Sequence, residues 1–114
     1  MMDLESLRQV IEQYRMHGWD LQSILFSEPL SPKLDQIKAI VGKVELIRSE
    51  LDAAWFSRLS RPGMTAWELR HLSSVPYALI AGIDDELTPE EAESARRATE
   101  MKMLKVVRDR KFGD

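Results

Sequence analysis

The sequence predicts an all-α fold, an irregular bundle of four to five helices in a single domain over residues 1–114. Apolar residues recur at spacings of three and four over long stretches, and helix start signals precede several of them. The 114 residues include only five glycines and five prolines. Leu, Ala, Glu, Arg and Met, which have strong intrinsic helix preferences, are abundant.

The overall composition is that of a packed globular protein. Hydrophobic residues make up 44% and charged residues 31%, with a formal net charge of -3, which is too apolar for a disordered chain. The absence of cysteine excludes disulfides and thiolate metal ligands. The first residues do not resemble a signal peptide, and the nearly apolar stretch 75–83 has about half the length of a membrane span. We therefore expect a cytoplasmic protein with no membrane contact.

Two apolar clusters open the chain. The first predicts a helix that ends near Gly18, with one face formed by Met2, Leu4, Leu7, Val10, Ile11 and Tyr14. The second, over residues 19–26, predicts one or two helical turns with Asp20 as the N-cap. The sequence Ser27-Glu28-Pro29 then breaks the chain.

The most persistent pattern predicts a long central helix over about residues 32–60. Ser31 can cap its free N–H groups, and Pro32 suits the first helical position. Its apolar stripe comprises Leu34, Ile37, Ile40, Val41, Val44, Ile47, Leu51, Ala54, Trp55 and Leu59. Gly42 inside this helix costs about 1 kcal/mol relative to alanine. The sequence Arg61-Pro62-Gly63 ends it.

A third helix is predicted after Thr65, because Thr65 and Glu68 have the spacing of a capping box. Pro76 lacks the N–H that a helix interior needs. We therefore expect this helix to break or kink near residues 73–74, with a second short helix over residues 77–83.

The last helix has the clearest start. Thr88, Pro89 and Glu91 combine an N-cap, a proline at the first helical position and a capping-box glutamate. Acidic residues follow in the first turns and basic residues occupy the last, as the helix dipole favours. This helix is predicted to reach about Lys111.

The sharpest catalytic hypothesis is the pair Glu68 and His71, since Glu-x-x-His on a helix is half of a di-iron motif. The other half is missing, because the second histidine, His17, has Tyr14 at that spacing. Glu68 is also explained as the capping partner of Thr65. We predict no enzymatic activity, no metal and no cofactor.

Nucleic-acid binding by the last helix is an alternative function. Residues 96–111 contain seven basic and two acidic residues, a net charge of +5, which could neutralise phosphates. The whole chain is acidic, however, and no aromatic residues are interleaved with these basic ones. A charge run of this kind is more often a solvated helix face.

Protein–protein interaction is the favoured function, because the apolar stripe of the last helix spans roughly 200 degrees, wider than one packed face needs. The helix either buries both sides within its own fold or presents one to a partner. The predicted partner-binding residues are Met101, Leu104, Arg97 and Arg108. The sequence thus predicts a non-enzymatic adaptor, assembly or regulatory module, with homodimerisation through this helix as one form of the interaction.

Overall fold

The chain is a mixed α/β protein, so the prediction of an all-α bundle is wrong. The computed structural model describes residues 3–73 and 75–110. In chain order the elements are α1 (Leu4–Met16), β1 (Asp20–Phe26), a 3-10 helix (Glu28–Lys33), α2 (Leu34–Val41), β2 (Glu45–Arg48), β3 (Ala53–Arg61), β4 (Met64–His71), β5 (Ala78–Asp84) and α3 (Pro89–Arg110).

The five strands form one sheet in the order β2-β1-β3-β4-β5. β1 and β2 are parallel, and the 3-10 helix and α2 form the crossover between them. The pairs β1–β3, β3–β4 and β4–β5 are antiparallel. β2 and β5 are therefore the two edge strands.

Helices cover both faces of this sheet. Residues 53–57 of β3 are all buried, and successive side chains of a strand point to opposite faces. Ala54 and Phe56 pack in the core under α1 and α2, whereas Ala53 and Trp55 pack in the core under α3. A strand covered on both faces is apolar at consecutive positions, which explains the run Ala-Ala-Trp-Phe.

The predicted central helix over residues 32–60 does not exist as one element. Gly42 has a φ of 72°, a left-handed conformation that ends α2 after eight residues. The remaining apolar residues belong to β2, to β3 and to the segments beside them. These residues have helix-like spacing because α2, β2 and β3 follow one another with short connections.

The other short helices predicted in the middle of the chain are also wrong. Residues 19–26 contain β1 instead of helical turns, and the predicted third helix is β4. Thr65 and Glu68 form no capping box, since the Thr65 hydroxyl donates to Asp85 at 2.9 Å and Glu68 accepts a hydrogen bond from Tyr14. The short helix predicted over residues 77–83 is the strand β5.

The first and last helices are confirmed. α1 begins at the N-cap Asp3 and ends before Gly18, whose φ is 85°. α3 extends through Arg110, the last residue described, and Lys111 lies outside the described residues. Pro76 lies in the connection between β4 and β5, and Ser74 within the expected break is not among the described residues. No described helix has the length and hydropathy that crossing a bilayer would require.

Candidate protein-protein interface

The outer side of β5 is a free edge of the sheet, and two backbone hydrogen bonds fix which residues face it. The His71 N–H donates to the Tyr77 carbonyl at 2.9 Å, and the Asp85 N–H donates to the Gly63 carbonyl at 3.0 Å. Both pairs extend the register of β4 and β5. In an antiparallel ladder, hydrogen-bonded and non-bonded pairs alternate. These two bonds therefore determine which residues of β5 bond to β4 and which face the free edge.

Odd-numbered residues of β5 bond to β4 and even-numbered residues face outward. The backbone groups directed at β4 belong to Leu79, Ala81 and Ile83. Those directed at the free edge belong to Ala78, Ile80 and Gly82. Among the residues that the structure describes, no strand pairs with this outer side.

The side chains of β5 do nothing to protect this edge. Residues 78–83 include no charge and no proline, and the pairing with β4 runs without a bulge. Natural edge strands are usually blunted by one of these devices. The Ile80 side chain is 61% exposed, and it lies across from Glu68 on β4. β5 therefore presents an apolar, regular strand to which another strand can be added.

α3 packs beside this edge, and its start is the one that the sequence predicted. The Thr88 hydroxyl accepts a hydrogen bond from the Glu91 N–H at 3.1 Å, and the Glu91 carboxylate accepts one from the Thr88 N–H at 2.9 Å. Met103 and Leu104 are buried in the core cluster that includes Trp55. The helix is thus fixed at its beginning by a capping box and in its middle by apolar burial.

The two flanks of α3 face different parts of the sheet. The Trp55 indole N–H of β3 donates to Glu100 at 2.8 Å, and Arg108 donates to Glu50, just before β3, at 2.9 Å. At 100° per residue, the flank opposite these contacts carries Ala95, Ala98 and Lys102. That second flank therefore faces the side of the free β5 edge, since β5 lies on the other side of β4 from β3.

The four predicted partner-binding residues do not all lie on a free surface. Met101 is 65% exposed, whereas Leu104 is only 9% exposed and packs in the core. Arg97 donates to Glu93 at 3.2 Å, and Arg108 holds the ion pair with Glu50. The wide apolar stripe is thus used largely within the fold, because Leu104 packs against the sheet. A partner at this helix can contact Met101 but not Leu104.

The basic residues of the last helix are divided between internal contacts and solvent. The Arg96 guanidinium lies 4.6 Å from the centre of a Trp67 ring, a cation–π contact, and Arg97 and Arg108 hold the ion pairs given above. The side chains of Lys102, Lys105 and Arg110 are exposed. These contacts reduce the share of the +5 charge that is available to phosphates.

The structure separates the pair that suggested a metal site. Glu68 and His71 lie three residues apart on a strand, so their side chains point to opposite faces of the sheet. His71 Nδ1 lies 3.0 Å from the Ser73 hydroxyl, which itself donates to the Val75 carbonyl. The Ser73 oxygen can therefore accept a hydrogen bond from His71 Nδ1. Residues 3–73 and 75–110 contain no cluster of His, Asp and Glu side chains suited to a metal ion.

A small cleft lies where α1 meets β4. Its volume is about 200 Å³, and its lining residues are Gln13, Tyr14, His17, Trp19 and Glu68. Tyr14 stacks on Phe56 with ring centres 4.0 Å apart and donates its hydroxyl to Glu68. Burial and the hydrogen bond to the Glu68 carboxylate raise the pKa of Tyr14 well above its ordinary value of 10.0. Drug-sized ligands occupy larger cavities, so this contact mainly fastens α1 to β4.

Ile80 and Gly82 of this candidate interface were not predicted from the sequence. The run 77–83 is apolar, but a short apolar run does not distinguish a strand from a helix. The available signal was Ile80 and Ile83, β-branched residues favoured in strands, in a run of only seven residues after a proline. No protein-family model, curated protein or solved structure matches the chain.

Proposed function

We propose that this protein is a non-enzymatic protein–protein interaction module that binds a strand of its partner along the outer side of β5. One observation carries the proposal. The N–H and C=O groups of Ala78, Ile80 and Gly82 face outward from residues 78–83 of an edge strand, a stretch without charge, proline or bulge. An added strand would satisfy these groups, and strand addition is a common mode of protein recognition.

The neighbouring side chains support a partner of mixed apolar and polar character. Ile80 offers an exposed aliphatic surface, and Gly82 beside it leaves the backbone open to close approach. Glu68, across from Ile80, supplies a carboxylate at the same face. A partner strand can therefore gain backbone hydrogen bonds along the edge and an apolar contact at Ile80.

A short peptide of alternating threonine and valine tests strand addition. Titrated into isotope-labelled protein, it should shift the amide resonances of Ala78, Ile80 and Gly82 most strongly. The same peptide with its central valine replaced by proline removes one N–H donor and should bind at least about tenfold more weakly. Ile80→Lys in the protein should weaken binding, because a charge then stands at the edge.

Leu59→Lys is the matched control variant, because Leu59 is 72% exposed and lies on β3 away from the β5 edge. It should bind the peptide as the wild type does. Shifts centred on another surface would contradict the proposal. So would the absence of any shift at millimolar peptide while the protein remains monomeric.

Nucleic-acid binding by residues 96–111 stays the alternative, supported by the exposed side chains of Lys102, Lys105 and Arg110. Binding to phosphates would be steeply salt-dependent, since each neutralised phosphate releases counterions. Titration of labelled duplex DNA and RNA at two salt concentrations measures this dependence directly. Saturable binding that Lys102→Glu and Lys105→Glu abolish would favour the alternative, and no binding at low salt would remove it.

A further inference from the structure

We infer that the strand which occupies the β5 edge is β5 of a second copy. The two β5 strands pair antiparallel about a two-fold axis, so that the two chains share one ten-stranded sheet. This inference rests on the proposed function and names its partner. Two-fold pairing requires the same outward residues to match themselves in the reverse direction. The even-numbered residues of β5 meet this requirement, because their backbone groups all face outward. They are Ala78, Ile80, Gly82 and Asp84.

The register centred on Ala81 fits the side chains best. It places Ile80 of one copy beside Gly82 of the other, twice by symmetry, so that a large exposed side chain adjoins a residue with none. It also places Ala78 opposite Asp84. The two Asp84 carboxylates then lie at opposite ends of the pairing, about 20 Å apart at the rise of a strand. No like charges oppose each other.

α3 makes a second contact in this arrangement. The two-fold axis is perpendicular to the shared sheet, so both copies of α3 lie on the same face. Arg96 of α3 contacts Trp67 of β4, which places the helix inward of the edge. α3 packs against both β5 and β4. An axis between these two strands lies about one strand spacing from the dimer midline and sets the two helices roughly 10 Å apart, a normal packing distance. Ala95 and Ala98 lie on the flank that faces the other copy and permit this approach.

The charges of α3 are complementary to those of an antiparallel second copy. On the flank that includes Ala95 and Ala98, the helix carries Glu91 near its start and Lys102 and Lys105 in its later turns. Reversal by the two-fold axis brings the acidic half of each helix toward the basic half of the other. The order of charges along α3, acidic at the start and basic at the end, suits the helix dipole. The same order therefore also favours self-association.

Sedimentation equilibrium of the full chain over a wide concentration range tests the inference. The wild type should fit a monomer–dimer equilibrium. Ile80→Lys should raise the dimer dissociation constant at least about 100-fold, because two exposed isoleucines lose their buried contact. The variant should keep its fold, since the introduced ammonium group would face the Glu68 carboxylate across the strand pair. Ala98→Arg should weaken the dimer about tenfold by blocking the helix approach.

Leu59→Lys again serves as the control and should leave the dimer unchanged. A wild-type monomer at all concentrations would overturn the inference. In that case, binding of the threonine–valine peptide at β5 would leave the proposed function intact, and absence of peptide binding would refute both. A dimer that is insensitive to Ile80→Lys but lost in Ala98→Arg would place the contact on α3 alone and contradict the shared sheet.

Discussion

The two edges of the sheet differ in length and in charge, two properties that control strand pairing. β2 has four residues, of which Glu45 and Arg48 are charged, and Arg48 forms an ion pair with Glu28 in the preceding crossover. β5 has seven residues, and its first charge is Asp84 at the end. Short length and charge are the usual protections of an edge. The chain thus protects one edge and leaves the other open, which favours pairing at β5.

The largest expected effect comes from proline substitutions that test which N–H groups of β5 bond to β4 and which face outward. Ala81→Pro removes an N–H that bonds to β4 and should lower the free energy of unfolding by about 3 kcal/mol or more. Gly82→Pro removes an outward N–H instead and should cost roughly 1 kcal/mol or less while preventing dimer formation. Chemical denaturation and sedimentation measure the two effects. Equal destabilisation by both prolines would show that the outer side of β5 is already bonded.

Removing the protection of β2 should make the two edges alike. Glu45→Val together with Arg48→Val removes both charges from this edge, and the exposed Ile47 between them enlarges the apolar strand. We expect species larger than a dimer in light scattering, because a chain with two open edges can associate without closure. If the double variant stays a dimer, the short length of β2 alone protects it.

The smallest expected effect is that of pH, which should change the free energy of unfolding but not the association of two chains. Burial lowers the pKa of His71 below its ordinary value of 6.5, so the folded chain takes up the imidazole proton at a lower pH than the unfolded chain does. As the pH falls below 6.5 the unfolded chain gains a proton that the folded chain does not, and the free energy of unfolding decreases. Denaturation between pH 7.5 and about 5.5 measures this slope.

His71→Gln should flatten this slope, because it removes the buried imidazole. No titratable side chain lies between residues 78 and 83. The strand pairing itself should therefore change little over the same range. A dimer that dissociates in step with the titration of His71 would contradict this separation.

The first and last helices were predictable from sequence, but the sheet between them was not. At Thr88 and Glu91 the local signal is sufficient, because the capping box forms between residues three apart. Thr65 and Glu68 have the same spacing, but pairing of β4 with β3 and β5 satisfies their backbone groups and overrides it. These contacts join residues distant in sequence, and periodicity carries no information about them.

The candidate interface was predictable only in part for the same reason. Met101 stood out as an apolar residue on a charged helix, and it is exposed. Leu104 belongs to the same stripe but packs against a sheet that the sequence did not reveal. Ile80 and Gly82 gain their importance from the position of β5 at the edge, which depends on the order of all five strands.

Residue-resolved amide hydrogen exchange at low and high protein concentration tests the open edge most directly. We expect the amides of Leu79, Ala81 and Ile83 to be protected at both concentrations, because they bond to β4. The amides of Ile80 and Gly82 should exchange rapidly in dilute protein and become protected as the dimer forms. Protection of Ile80 and Gly82 at the lowest concentration, where the chain is monomeric, would contradict a free β5 edge.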